Sequence, residues 1–425
     1  MTVAVAGWRD RMTHTARNPW VRGVAGTAGT RIVVLVVGLA ATVALARGLV
    51  PTGRGVHALA MTVATLGVVA LNLGFHTANT YFASRERDTL PTLVANTFAM
   101  AGAIALAGTL LLAAARVFGL DPDPLPFALA VLVVAWLPVG LLFIQLQPLL
   151  LVVDRLRMYN LAEAGWQLTS VALVVVLWAT GHLTPTTAFA VTLGALAAGT
   201  VLIARDLRPV RRPRLRPSVP LFRRALPYAA RTYATTVTGF ALVRLDIFLV
   251  EGRLGTRQVG LYAVAVTICE AIQVLPTTIG ALLLPKVSAV SDGAEQWRMT
   301  RRVLVVTAPV MLGICGLVAL VARPAIRLLY GDAFLPSVTP LYWLLPGIVL
   351  LGINAVLIHH FLAVGMPSTI VVAQAAAVAL NIGLELVLLG PMGLAGAGLA
   401  STVAYGAMLA ATLAYASVWR RRQVA

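Results

Sequence analysis

Charged side chains make up only 11% of this 425-residue sequence, whereas 59% of it is hydrophobic. A soluble domain has about 25% of its residues charged, so this chain cannot cover a water-exposed surface. A mean hydropathy of +0.89 points the same way. Acidic residues are scarcer still, with 15 Asp and Glu against 33 Lys and Arg and a net charge of +18. Lysine is nearly absent, Lys286 being the only one. Cysteine is limited to Cys269 and Cys315, both inside apolar runs, so neither a disulfide framework nor a cysteine zinc site has support. No glycine-rich phosphate loop followed by lysine occurs, which argues against direct use of ATP. The short apolar alternation of outer-membrane strands is missing as well.

What remains is a succession of long apolar runs. They fall at 24–46, 55–83, 91–117, 125–153, 158–180 and 185–203, and again at 226–250, 258–284, 303–322, 341–364, 368–389 and 394–418. A span needs roughly 20 residues, and backbone in lipid must satisfy its own hydrogen bonds, which selects helices. The expectation is an all-α polytopic membrane protein of about twelve transmembrane helices.

Basic residues sit between the runs, where they set topology instead of binding nucleic acid. Arg205, Arg208, Arg211, Arg212, Arg214, Arg216, Arg223 and Arg224 crowd one stretch, interrupted by Pro209, Pro213, Pro217 and Pro220. That stretch reads as an extended cytoplasmic linker, and the tail Arg420-Arg421-Arg422 shares its side by parity. The expected organisation is a cytoplasmic N-terminal segment at 1–22 with Trp8 and Trp20 at the headgroups, an N-lobe at 23–204, a basic linker at 205–224, a C-lobe at 225–418 and a cytoplasmic tail at 419–425. The implied location is a bacterial inner (plasma) membrane.

The halves also repeat. Gly48-Leu49-Val50-Pro51-Thr52-Gly53-Arg54-Gly55 opens the second run, and Arg253-Leu254-Gly255-Thr256-Arg257-Gln258-Val259-Gly260 opens the eighth. Gly55 aligns with Gly260, and Ala58 and Ala60 align with Ala263 and Ala265. Equal numbers of helices precede the two copies within their halves, so the copies point the same way. Two pseudo-symmetric six-helix lobes around a central cavity follow, and transporters often bind substrate at such a repeat interface.

Three stretches carry a family likeness. Leu45-Ala46-Arg47-Gly48-Leu49-Val50-Pro51-Thr52-Gly53-Arg54-Gly55 is one, although Val50 stands where glycine is common. Leu245-Asp246-Ile247-Phe248-Leu249-Val250 through Val259-Gly260-Leu261-Tyr262-Ala263 is the second. Gly365-Met366-Pro367, then Asn381, then Gly393-Leu394-Ala395-Gly396-Ala397-Gly398 is the third. Together they resemble the polysaccharide transporter, or oligosaccharide flippase, family, in the superfamily that includes multidrug and toxin extruders (MATE) and lipid II flippases. The resemblance implies a MATE-like fold and alternating access. It also implies a cargo of undecaprenyl-pyrophosphate-linked oligosaccharide, moved from inner to outer leaflet for cell-surface polysaccharide. Such a protein is not an enzyme. Its partners would be the lipid-linked oligosaccharide, membrane lipids and polysaccharide biosynthesis proteins, without nucleic acid.

An ionised side chain at mid-bilayer costs about 2.5–3.5 kcal/mol on insertion scales, so it is expected to face a wet cavity or a partner. Arg31, Arg231 and Arg244 lie inside predicted spans and are the candidate substrate-binding residues, because guanidinium binds phosphate through charge-assisted bonds. Arg244 has an alternative role as a partner of Glu251. Asp246 and Glu270 are candidates for ion coupling, to a proton or sodium, or for charge pairing. No other cofactor and no metal are expected. Glu163 and Glu385, near span ends, are assigned to the headgroups. Asp121-Pro122-Asp123 and His359-His360 are read as chance occurrences of metal-site patterns. The alternatives to a flippase are a cation-coupled multidrug exporter, whose cavity would be acidic, and a membrane glycosyltransferase or polymerase, which would need larger outer loops.

Overall fold

The computed structural model describes residues 19–120, 125–207, 216–365 and 367–424, excluding the side chains of 19–36, 231, 232, 234, 235 and 422–424. The described residues are helical, with no strand among them. In chain order the first lobe comprises α1 (Pro19–Asn72), α2 (Phe75–Arg85), α3 (Leu90–Val117), α4 (Phe127–Leu146), α5 (Leu156–Ala179) and α6 (Pro185–Asp206). After the linker come α7 (Val219–Arg244), α8 (Asp246–Leu254), α9 (Thr256–Ser288), α10 (Gly293–Tyr330), α11 (Val338–Ala363), α12 (Ser368–Met392) and α13 (Leu394–Val424).

These helices give the twelve-span, two-lobe plan of a multi-pass membrane protein. Span 1 and the start of span 2 are the two limbs of α1, and α2 completes span 2. Span 7 is α7 continued by α8. Ten described helices are long and apolar enough to cross a membrane. The two limbs of α1 count once among them, and the arginine-bearing α7 falls outside. The linker is shorter than the sequence suggested. Helix begins at Val219, where the Ser218 hydroxyl accepts from the Leu221 N–H and caps the first turn.

The repeat has a backbone signature. Val50 breaks α1 at φ 51, ψ 175, and Pro51 follows it, with proline's fixed φ suited to a first helical turn. Its counterpart Gly255, between α8 and α9, has φ 83, ψ 169. Both positions occupy the same region, which is nearly restricted to glycine, although only one of them is glycine. Five residues on, the two helices cross at Gly55 and Gly260. A Cβ at Gly55 would strike the carbonyl oxygen of Thr256, and one at Gly260 would strike that of Pro51. Since Thr256 aligns with Pro51, the contact is reciprocal, as a two-fold axis between α1 and α9 requires. The absence of side chains is what allows the backbones to approach this closely.

Successive spans alternate direction, so the turns at Val50, Gly255 and Gly331 share one end, here the far end, and the linker marks the opposite, basic end. At the far end Arg47 donates to the carbonyl of Leu329 at 2.7 Å and also to that of Leu328, placing a cation on the C-terminal turn of α10, where the helix dipole favours it. The hydroxyls of Thr42 and Tyr330 lie 3.1 Å apart beside it.

At the basic end span 7 does not stay with its own lobe. Phe222 stacks on Phe75 and Tyr228 on Tyr81, each pair with ring centroids 4.4 Å apart. Arg224 grips Glu86 with two bonds of 2.9 and 2.5 Å. Ser218 and Asn96 exchange bonds of 2.7 and 3.1 Å. Ala225 and Ala229 are buried in the first lobe's core, whereas Ile247 and Val250 of α8 are buried in the second. Span 7 therefore crosses from one lobe to the other, with α7 and α8 meeting at Leu245, between Arg244 and Asp246.

Candidate functional site

Two charges two residues apart on span 7 point to nearly opposite sides of the helix and border different spaces. Arg244, ending α7, lines a cavity of ≈ 520 Å³ between the lobes, with Thr42, Arg54 and His57 of α1 and Glu270 of α9. Asp246, beginning α8, lines a second cavity of ≈ 460 Å³ inside the second lobe, with Tyr262, Asn354, Gln374 and Tyr405.

In the interlobe cavity Arg244 Nη2 pairs with Glu270 Oε1 at 2.6 Å, both side chains about one third exposed (29% and 36%). Glu270 is thus the charge partner, and the expected alternative, Glu251, instead accepts a 2.8 Å bond from Thr256.

Arg54 was not among the sequence candidates and is the most informative side chain in this cavity. It is only 6% exposed, and no carboxylate of the described residues forms an ion pair with it. Its Nη1 lies 3.4 Å from His57 Nδ1, while Arg54 Nε and His57 Nε2 are buried without a partner. A guanidinium can only donate, so His57 Nδ1 accepts and the proton is assigned to Nε2. Two unpaired donors, one of them charged, therefore stand beside the cavity. Leaving such donors unpaired costs about 1–3 kcal/mol each, more when charged, and an anion would recover that cost. The sequence clue was an arginine four residues after the Val50 break, one helical turn inside span 2.

Arg31 and Arg231, the other predicted arginines, belong to α1 and α7, but their side chains lie outside the described residues. Asp121-Pro122-Asp123 and most of the N-terminal segment also lie outside them.

In the second-lobe cavity Asp246 is 3% exposed. Its Oδ2 accepts from the Tyr262 hydroxyl at 2.6 Å, and its Oδ1 accepts from the Ile247 N–H at 2.8 Å, satisfying a donor that the start of α8 would otherwise leave free. Glu385 is near enough for the two carboxyl groups to feel one another's charge. Its assignment to the headgroups is corrected by the structure, because it is fully buried. Glu385 Oε1 accepts from Asn381 Nδ2 at 3.2 Å. Proximity to a span end misled here: burial depends on which helix covers the face, and α12 packs against both α8 and α13. In the same lobe Glu385 Oε2, Asn381 Oδ1, Gln374 Oε1 and both amide atoms of Asn354 are buried without partners. Most of these atoms are acceptors, the complement of what the interlobe cavity offers. His359 lines this cavity, whereas His360 is turned away toward Thr300.

The architecture has solved counterparts. The chain is similar in fold to the lipid II flippase MurJ in an inward closed conformation, with a TM-score of 0.75 and 16% identity over 92% of this chain and 87% of that one. It is similar to an inward-facing multidrug resistance MATE family transporter of the MOP superfamily, with a TM-score of 0.71 and 13% identity over 92% and 94% of the two chains. An outward-facing transporter of that description gives 0.67 and 14% over 95% of each. At these identities the likeness is one of fold. No curated protein matches the sequence. Residues 44–339 match the sequence profile of a polysaccharide biosynthesis protein family. That match takes in the Val50 turn, span 7 and the Gly55–Gly260 crossing, and the chain belongs to this polysaccharide biosynthesis protein family.

Proposed function

We propose that the protein is a flippase that carries a lipid-linked oligosaccharide, with undecaprenyl pyrophosphate as carrier, from the inner to the outer leaflet of a bacterial plasma membrane. The observation that carries this reading is the convergence of Arg54, which has no carboxylate partner among the described residues, and Arg244 on one cavity bounded by both lobes. A diphosphate supplies negative oxygens to both, and guanidinium groups bind phosphate with fork geometry. The basic linker and tail support a cytoplasmic side for both termini.

Alternating access requires the lobes to part where they now touch and to close where cargo entered. Energy for a return cycle enters through the second lobe. Asp246 and Glu385, in a lobe with unpaired buried acceptors, form a site for a coupling cation, a proton or sodium, since a buried carboxylate needs a counter-charge. The neutralisation of Glu270 by Arg244 argues against a cavity selected for cationic drugs. No catalytic step is invoked, and the chemistry of sugar assembly belongs to partner enzymes of the polysaccharide pathway.

The test is made in cells. Arg244→Gln combined with Arg31→Gln removes two of the proposed cavity cations, and polymer at the cell surface is expected to disappear while the protein remains at its usual level in the membrane. Normal polymer output from the double variant would refute the cavity assignment.

A further inference from the structure

Ion pairs such as Arg224 with Glu86 and Arg327 with Asp332 sit at the ends of the spans. The pair of Arg244 with Glu270 sits between the lobes, inside the interlobe cavity, and both its side chains stay open to that space. Among the described residues lining the cavity Glu270 is the one acid, set against Arg54 and Arg244. Arg54 is near enough for the charges of both partners to act on it. An acid in a site for an anionic cargo lowers affinity, because like charges in one cavity repel. Its presence there calls for a task.

The position of Glu270 on α9 defines one. Val266, Glu270, Val274 and Thr277 follow one another along a single helical face, and all four border both the interlobe cavity and the second-lobe cavity. Glu270 is the only charged member of this shared wall. A carboxylate placed there can let go of Arg244 and still stand in open space, whereas one forced among packed apolar side chains would pay a heavy desolvation cost.

We propose that Glu270 is an internal stand-in for the anion of the cargo: it holds Arg244 while the cavity is empty, yields it to the diphosphate on loading, and reclaims it when the cargo leaves. The inference rests on the flippase reading and adds a positioning residue that acts through Arg244. The exchange breaks one guanidinium–carboxylate contact and forms one guanidinium–phosphate contact. Arg244 is therefore paired at each stage, which matters because stripping one partner from a desolvated pair is costly. Release also gains a competitor, without which tightly held cargo would stay bound.

Tight binding and rapid transport should then separate when Glu270 is changed. The experiment uses the purified full-length protein in nanodiscs with a fluorescent geranyl-diphosphate sugar as probe. Glu270→Gln is expected to bind the probe on the order of tenfold more tightly than the unaltered protein, as the loss of a charged competitor implies. Glu270→Asp keeps the charge but is too short to hold Arg244 as glutamate does. It is expected to tighten binding by a smaller factor, and it carries the comparison alone where Glu270→Gln does not fold. In vesicles, movement of the undecaprenyl-diphosphate form at saturation is expected to slow in both variants, whereas a purely structural pair would weaken binding and movement together. Unchanged or weaker binding in the folded variants, tighter binding with undiminished movement, or loss of fold in both would overturn the inference and leave the flippase reading standing. Failure of the unaltered protein to bind the probe would overturn both.

Discussion

Each lobe buries a cluster of polar side chains at its core, and the two clusters behave in opposite ways. In the first lobe Gln145 is the hub. It accepts from Thr97 at 2.9 Å and from Asn79 at 3.2 Å, and its amide nitrogen donates to Asn72 at 3.1 Å. Asn72 in turn donates to His76 at 2.6 Å. None of Asn72, Asn79, Thr97 and Gln145 has a buried side-chain atom without a partner. The network spans the Leu73–Gly74 break in span 2, where both residues have positive φ, and pins spans 2, 3 and 4 around it. In the second lobe the cluster around Asp246 and Glu385 leaves most of its acceptors unanswered. A closed network rigidifies, whereas an open one is a site waiting for a ligand, because unpaired buried polar groups call for an explanation. The two buried clusters thus differ in role: the one around Gln145 braces its lobe, and the one around Asp246 and Glu385 is equipped to bind.

Substitution sets this contrast its hardest test. Asp246→Asn should lower transport on the order of 100-fold, equivalent to about 2.8 kcal/mol of lost ion affinity, with no loss of folded protein. The measurement is vesicle transport beside the shift of thermal unfolding that sodium or acid produces in the unaltered protein, and the variant should lose both. An equal transport loss from a variant of the Gln145 network with intact fold would remove the distinction.

Gln145→Leu should act the other way. It strips Asn72, Asn79 and Thr97 of their common partner, at about 2–3 kcal/mol of stability, read as a lower unfolding temperature in detergent. Transport per folded molecule should stay near normal.

The turns of the repeat give a third comparison. Val50 and Gly255 share a backbone region that costs a non-glycine residue about 1–3 kcal/mol. Gly255→Val has open space around it, so it should destabilise by about that amount through backbone strain alone. Val50→Gly should stabilise by less, because glycine loses more freedom on folding, about 0.5–1 kcal/mol relative to alanine. Thermal unfolding of the two variants side by side would show the opposed signs, and a Val50→Gly variant that loses stability would deny the strain.

The smallest effect belongs to the exposed pair at the basic end. Arg224 beside Glu86 holds that carboxylate below its ordinary range. A depressed folded-state value means that the pair stabilises the docked span 7 above the ordinary carboxylate range and ceases to do so as pH falls through the lowered value. Because both partners are solvated, the contribution is slight and screened by salt. Glu86→Gln should therefore melt slightly lower than the unaltered protein at neutral pH, and the two curves should converge in acid.

These contrasts also show how far residues alone reach. Hydropathy and arginine placement give the twelve spans, because a bilayer permits little else. The Gly55 and Gly260 registers revealed the repeat, since a close backbone crossing demands glycine in both copies. What the sequence hid was long-range pairing. Arg244 had three acidic candidates, Glu251 by helical spacing and Asp246 or Glu270 as intramembrane charges, and only the structure selects Glu270, which sits on another helix. Glu385 was read as interfacial because distance to a span end is visible in a sequence, whereas the helices that cover a face are not. Arg54 fell in a turn motif, where a basic residue ordinarily meets water.

The account stands or falls on whether an anionic head is bound between the lobes. The most direct measurement places the purified protein in vesicles with a fluorescent undecaprenyl-diphosphate sugar on the inner face and follows its appearance on the outer one. The unaltered protein should move the label across, and a folded Arg54→Gln, Arg244→Gln double variant should leave it where it began. Undiminished movement by that double variant would contradict the central claim.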